Sequence, residues 1–210
     1  KPSGLKPNLI VQQYFIRMKK VILASGSPRR KMILELAGIP FQCITSDAGE
    51  DFDPDEDRHK IPVILAERKA EKVFSLCGNP HQAIVIGADT IVVLGDEILN
   101  KPEGKDEAFE MLNKLSGRKH RVITGVVMKS SGMKLSFYTE TSIKFRKLSA
   151  AQINNYIEHR KPFDKAGGYA IQEEIGRIAV EEIDGSYFNV AGLPFIETLN
   201  HLERMGYTPS

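Results

Sequence analysis

Residues 21–38 read VILASGSPRRKMILELAG, and this stretch decides the fold class. Val21 to Ala24 is a short apolar run, and Ser25-Gly26-Ser27-Pro28 is a cluster of turn formers. Arg30 to Ala37 then carries apolar residues at helical spacing, with Gly38 placed to end the helix. The pattern is strand, tight loop, helix, the unit from which α/β domains are built. Ser27 is suited to cap the helix and Pro28 to its first turn, so free backbone N–H groups and the positive end of the dipole face the loop. Arg29 and Arg30 add two charges to that anion site. They diverge from the helix start, so one is expected to meet a ligand while the other pairs with a carboxylate or with solvent. Taken alone, the motif would equally describe a capped helix with two surface arginines.

Working outward, Gly49 to His59 is acidic and reads as a surface loop. Pro62 to Leu76 reads as an amphipathic helix with the proline in its first position and Leu65, Ala66, Ala70 and Val73 on one stripe. Ala83 to Leu94 is a β-branched run broken by Gly87-Ala88-Asp89-Thr90, and Gly95-Asp96 is placed to turn it back into Glu97-Ile98-Leu99. Asp106 to Leu115 predicts a third helix, and Val122 to Met128 pairs with Leu135 to Phe145 across the Ser130-Ser131-Gly132 turn. Ser149-Ala150-Ala151-Gln152 is a capping box for a helix to about His159, Asp164 to Gly192 reads as loop-rich, and Pro194 to Met205 is a last helix stopped by Gly206. Helices mixed with hairpins predict an α/β fold with a mixed sheet rather than a purely parallel one.

The 210 residues, 41% of them apolar, suffice for one core, so a single domain over residues 19–210 is expected, with residues 1–18 an extension or remnant outside it. A formal charge of +2 and the absence of Trp leave no basic stripe with stacking platforms, so no nucleic-acid partner is expected. No apolar run approaches membrane-spanning length, and Leu9 to Met18 is interrupted by Gln12, Gln13 and Arg17. Cys43 and Cys77 lack zinc or disulfide spacing and read as two buried thiols, which together places the protein in the cytoplasm.

Several features carry chemistry. Asp89 sits among Val85, Ile86, Ile91, Val92 and Val93, where an unpaired carboxylate costs several kcal/mol, so a metal ion or a cationic partner is expected beside it. It could hold Mg²⁺ or act as a base toward water. Lys101-Pro102 follows the hairpin, about one strand length after Asp89, which would return a lysine to the carboxylate's end of the sheet. Lys69 lies among Glu67, Arg68, Glu71 and Lys72 on a wet helix face, and charge spacing does not single it out. The segment Asp164 to Gln172 combines Lys165, flexible glycines and a carboxamide, Gln172, with the donor and acceptor needed to read a base edge. Neither a Walker A loop nor a Gly-x-Gly-x-x-Gly is present, and the five histidines lack zinc spacing.

Taken together, Ser25-Gly-Ser-Pro-Arg-Arg30, Gly87-Ala-Asp-Thr90, Lys101-Pro102, Leu115-Ser-Gly117 with Thr124-Gly-Val126, Lys165-Ala-Gly167 with Ile171-Gln172, and Gly185-Ser-Tyr187 with Gly192-Leu-Pro194 resemble the Maf family of nucleotide pyrophosphatases, from about Val21 to Gly206. The resemblance implies a twisted mixed sheet flanked by helices, two lobes with a cleft, and architecture related to the inosine triphosphate pyrophosphatases. It further implies an often dimeric enzyme that cuts nucleoside triphosphates between the α- and β-phosphates with Mg²⁺ or Mn²⁺. On the same basis Asp89 is the catalytic carboxylate and a metal ligand with Glu50. Ser27, Arg29, Thr90, Lys165 and Gln172 read the substrate, and Arg30, Lys69 and Lys101 hold phosphates. Lys-Ala-Gly followed by Tyr and Ile-Gln is similar to the group acting on dTTP and UTP rather than on 7-methyl-GTP. The chain departs from close relatives at Gly168-Tyr169-Ala170 and at Gln172-Glu173-Glu174, where they continue with glycines. A nucleotide sensor without turnover, tied to septum formation, is the rival reading.

Overall fold

The computed structural model describes residues 19–208, so the expected extension at residues 1–18 lies outside the described residues. In chain order the elements are β1 (Lys20–Leu23), α1 (Pro28–Leu36), β2 (Phe41–Cys43), α2 (Lys60–Ser75), β3 (Ala83–Leu94), β4 (Glu97–Leu99), α3 (Lys105–Leu115), β5 (Lys119–Lys129), β6 (Lys134–Phe145), α4 (Ala150–Arg160), α5 (Glu174–Ala179), β7 (Val180–Asp184), α6 (Tyr187–Ala191) and α7 (Phe195–Arg204). One sheet runs β2-β1-β3-β5-β6-β7, with β4 paired to the far end of β3. β2 and β3 flank β1 in parallel, and all other pairings are antiparallel, giving the mixed sheet expected from the hairpins.

Period-2 alternation along β3 divides the interior in two. Ile84, Ile86, Ala88, Val92 and Leu94 face the larger core with α1, α3 and α4, whereas Ala83, Val85, Ile91 and Val93 face α2. The α2 stripe of Leu65, Ala66, Ala70 and Val73 covers that second face, and two glycines set how close it comes. A Cβ on Gly87 would lie 2.1 Å from the Ala66 carbonyl oxygen, and one on Gly125 would lie 2.3 Å from the backbone of Pro62 and Val63. Helix backbone thus rests almost directly on the sheet.

This explains one correction. The tetrapeptide Gly87-Ala88-Asp89-Thr90 does not break the strand, because β3 is continuous and pairs through Asp89↔Gly125 and Thr90↔Thr124. Its composition answers to helix contact and to the site, not to a turn. Other corrections are smaller. The α2 helix begins at Lys60, so Pro62 is its third residue, still within the turn whose N–H groups have no intrahelical partner. Ser27 occupies the N-cap position of α1, but its side chain makes no capping hydrogen bond. The stretch expected to be loop-rich contains α5, β7 and α6, since short elements at a sheet edge carry little periodic signal. Cys43 is exposed rather than buried, because β2 is a three-residue edge strand, and Cys77 is half-buried; both are free. The capping box at Ser149 and Gln152 is fully formed. Among the described residues no helix is long and apolar enough to cross a membrane.

The core contains one buried titratable ring that bears on stability. His120 is 2% exposed, edge-on to Phe145 and Tyr169, with Nε2 2.8 Å from the Tyr169 hydroxyl. Burial lowers its pKa from 6.5 to about 4. The unfolded chain therefore takes up this proton first as pH falls, so stability is full above about pH 6.5 and declines toward pH 4, by up to ~3 kcal/mol. Denaturant midpoints measured from pH 7 to pH 4 should fall less steeply in His120→Phe than in the parent chain. Equal slopes would show that this ring does not carry the dependence.

Candidate active site

The chemistry gathers where β1 stops. β1 pairs with β3 only as far as Leu23↔Ile86, and β4 joins β3 only from Val92 onward, so neither registers against Gly87–Ile91. Along this gap both faces of β3 open into one cavity of about 530 Å³, walled by the 24–30 loop, Glu50, Lys69, Asp89, Thr90, Lys101, the 164–170 segment and residues 190–192. It lies at the carboxyl end of a parallel strand and at a helix N-terminus, the position from which open α/β sheets bind anionic ligands. Because the Ser27 side chain makes no cap, the first N–H groups of α1 are not occupied by it.

On the α2 side of β3 stands Asp89. Its Oδ1 is 2.5 Å from Lys69 Nζ, and the two side chains are 13% and 12% exposed. Lys69 follows Leu65 by four residues and Ala66 by three, so it belongs to the buried stripe of α2 and not to the wet face on which its charged neighbours seemed to place it. That offset was the available signal. Lys69 also meets Glu50 Oε1 at 3.1 Å, and Lys101 meets Glu50 Oε2 at 2.6 Å. Partial burial works to raise the Glu50 pKa, but the hydrogen bonds and charges of Lys101 and Lys69 outweigh it and hold the carboxyl at about 2. The loop at 49–59 thus delivers Glu50 to the carboxylate and lysine expected from the strand and hairpin.

On the opposite face, Thr90 pairs with Arg30. The Arg30 guanidinium is buried, and its Nε, Nη1 and Nη2 donate to the Gly192 carbonyl (2.8 Å), Ser25 Oγ (3.1 Å) and Thr90 Oγ1 (3.1 Å). Burial lowers its pKa, and neighbouring Asp89 acts in the other direction. Thr90 Oγ1 lies 2.9 Å from Thr124 Oγ1, which in turn bonds the Asn189 carbonyl at 3.0 Å. Of this buried ladder only Thr90 and Thr124 carried a sequence signal, as members of two motifs. Arg29 also lines the cavity, and it pairs with a carboxylate, bonding Asp164 at 3.4 Å. Lys165 lines the wall, paired with Asp164 at 2.6 Å. Gln172 is not among the lining residues; it is half-buried, and its Oε1 is buried without a hydrogen-bond partner.

The walls therefore hold five cations, Arg29, Arg30, Lys69, Lys101 and Lys165, against three carboxylates, Glu50, Asp89 and Asp164. A polyanion is attracted, and two of the carboxylates converge on one ammonium rather than on bulk water. Among the described residues no cluster of three His, Cys, Asp or Glu side chains is poised to hold a metal by itself.

Comparison with known proteins speaks to the family. The family model described as Maf-like protein matches residues 20–205. A dTTP/UTP pyrophosphatase of Cytophaga hutchinsonii is 44% identical over 88% of this chain and 84% of its own length, and one of Bacillus pumilus is 44% identical over 91% of this chain and all of its own. The solved Ham1 protein of Staphylococcus aureus overlaps 60% of this chain and 72% of its own at 18% identity and a TM-score of 0.38, a likeness too slight to speak to function. On the family match over nearly all of the described residues and on relatives of this identity and coverage, the chain belongs to the Maf family.

Proposed function

We propose that this protein hydrolyses nucleoside triphosphates, dTTP and UTP foremost, to the monophosphate and pyrophosphate. The observation that carries the reading is the convergence of Asp89 and Glu50 on Lys69 inside a cavity whose other cations surround it. In this mechanism the triphosphate lies against the N-terminus of α1, with Arg29, Arg30, Lys101 and Lys165 offsetting its charge. Asp89 accepts a proton from a water as the water oxygen bonds to the α-phosphorus. The bond from that phosphorus to the bridging oxygen breaks, and pyrophosphate leaves with the electron pair, its new charge met by the lysines. Ser27 and Thr90 offer hydroxyls near the loop, and Gln172 enters only if its segment turns toward the base.

A divalent cation fits this donor set. Asp89 Oδ1 and Glu50 Oε1 already share one cation, the Lys69 ammonium, and Mg²⁺ characteristically takes one or two carboxylates and fills its remaining positions with water and substrate phosphates. Bound there, such an ion would offset phosphate charge and make water more acidic. Two free thiols fit a reducing compartment, the cytoplasm.

Pyrophosphate release from a panel of normal and modified nucleoside triphosphates, with Mg²⁺, with Mn²⁺ and with chelator, tests the reading. Metal-dependent release favouring dTTP and UTP is expected. Release favouring 7-methyl-GTP would keep the reaction and overturn the base preference, and absence of release from every nucleotide would favour a sensor that binds without turnover.

A further inference from the structure

Lys165 presents a problem of charge. Its side chain lines the cavity yet is only 8% exposed, and an ammonium withdrawn from water needs partners held in place. Two carboxylates are within reach, and they differ in kind. Asp164 is 61% exposed and divides its oxygens between Lys165 and Arg29. Glu173 is 24% exposed, with Oε1 3.5 Å from Lys165 Nζ.

Its second oxygen, Oε2, accepts a 2.6 Å hydrogen bond from the hydroxyl of Tyr156. Tyr156 is 1% exposed, on the buried face of α4. Burial, aided by the bond to Glu173 and its charge, raises the Tyr156 pKa far above its ordinary value, so the hydroxyl remains a donor at every physiological pH. The main chain holds Glu173 as well: its N–H donates to the Ala170 carbonyl at 3.1 Å, and it forms the N-cap of α5. A carboxylate anchored to helix core on one side and to the loop backbone on another is a rigid counter-charge, which the exposed Asp164 is not.

We infer that Glu173, held by the Tyr156 hydroxyl, is a positioning residue that keeps the Lys165 ammonium aimed into the nucleotide cavity. The contribution to turnover rests on the proposed pyrophosphatase reading; the positioning contact does not.

The test uses Glu173→Gln, Tyr156→Phe, Lys165→Met and the double variant Glu173→Gln/Lys165→Met, with melting temperatures recorded for each. For dTTP and UTP, Glu173→Gln should raise KM about tenfold with kcat within about threefold, because the ion pair that aims Lys165 at the phosphates is lost, which weakens binding rather than the chemical step. Tyr156→Phe should move KM the same way by about threefold, leaving the carboxylate present but loose. In the Lys165→Met background Glu173→Gln should add nothing further. A merely structural role predicts the opposite, lower melting temperatures with KM unchanged or with effects that add, and either result overturns the inference.

A second arm needs no activity. Amine acylation mapped by mass spectrometry should show Lys165 labelled severalfold faster in Glu173→Gln than in the parent chain, relative to the exposed lysines, since its head then keeps only the exposed Asp164 as counter-charge. Unchanged labelling overturns the contact. Should the parent chain release pyrophosphate from no nucleotide, the functional reading fails, while this labelling still decides the positioning.

Discussion

Asp89→Asn should lower kcat for pyrophosphate release by about 10² or more, with KM for the triphosphate unchanged or lower and the fold intact. The argument starts from the face of β3 on which the residue sits. Asp89 and Gly125 are cross-strand partners, and the missing side chain at Gly125 leaves room for α2, so the carboxylate is a polar group between helix and sheet at the edge of the opening. Among the described residues its side chain bonds Lys69, at 2.5 Å through Oδ1. The amide variant keeps shape and volume and removes the negative charge, and with it the capacity to take a proton from water. Lys69 retains Glu50 at 3.1 Å, so its ammonium is not left alone and the stability change should be small. Removing one of three wall carboxylates also reduces repulsion of a polyanion, which is why KM should not rise. Single-turnover and steady-state measurements beside a melting curve separate these effects. A kcat within about tenfold of the parent, with the fold intact, would move the proton acceptor elsewhere, and a large rise in KM alone would make Asp89 a binding group.

The second large effect is on the fold itself. Gly125→Val introduces a residue that strands ordinarily favour, at a position in the middle of β5. Propensity predicts a gain, but packing predicts failure. A Cβ there lies 2.3 Å from Pro62 C and Val63 N, both helix backbone, and neither can swing aside as a side-chain end would. Accommodating it means lifting the start of α2 off the sheet, which uncovers Ile61, Leu65, Ile91, Val93 and Ile123, all nearly or fully buried. We expect a loss of at least ~3 kcal/mol, at or beyond the usual upper range for overpacking, and a chain that is largely unfolded at 37 °C. Whatever folded protein remains should be inactive, because Lys69 rides on the displaced helix. Gly78→Ala is the matched control: its φ lies outside the left-handed region and nothing lies within 4 Å of the added carbon, so its stability should move by under about 0.5 kcal/mol. Equal melting temperatures for the two variants would mean that α2 does not seat on Gly125.

These two residues also mark how far the sequence could be read. Asp89 was legible because a carboxylate in a β-branched run is a local contradiction, and contradictions of that kind are costly unless something compensates them. Gly125 was legible only as a motif member, since glycine in a strand announces a close approach without saying what approaches. Strand, loop and helix at residues 21–38, the capping box at Ser149 and the hairpin at residues 129–134 were all readable because their signals are local: apolar periodicity, a cap three residues from its partner, a turn tripeptide. By itself the sequence thus determined the elements that carry local signals, the mixed α/β class and, through six ordered motifs, the family, whereas β2, α5, β7 and α6 left no such signal.

Tertiary structure alone decided which charges meet. Glu50 lies 19 residues from Lys69 and 51 from Lys101, yet it holds both; Arg29 reaches Asp164 across 135 residues, and Arg30 reaches the Gly192 carbonyl across 162. No periodicity encodes such separations, because they follow from where β1 ends beside β3 and from how closely α2 settles on two glycines. The same holds for the exclusion of Gln172 from the cavity wall and for the hold of Tyr156 on Glu173: the identities are written in the chain, but what each side chain faces is set by packing among elements distant in sequence.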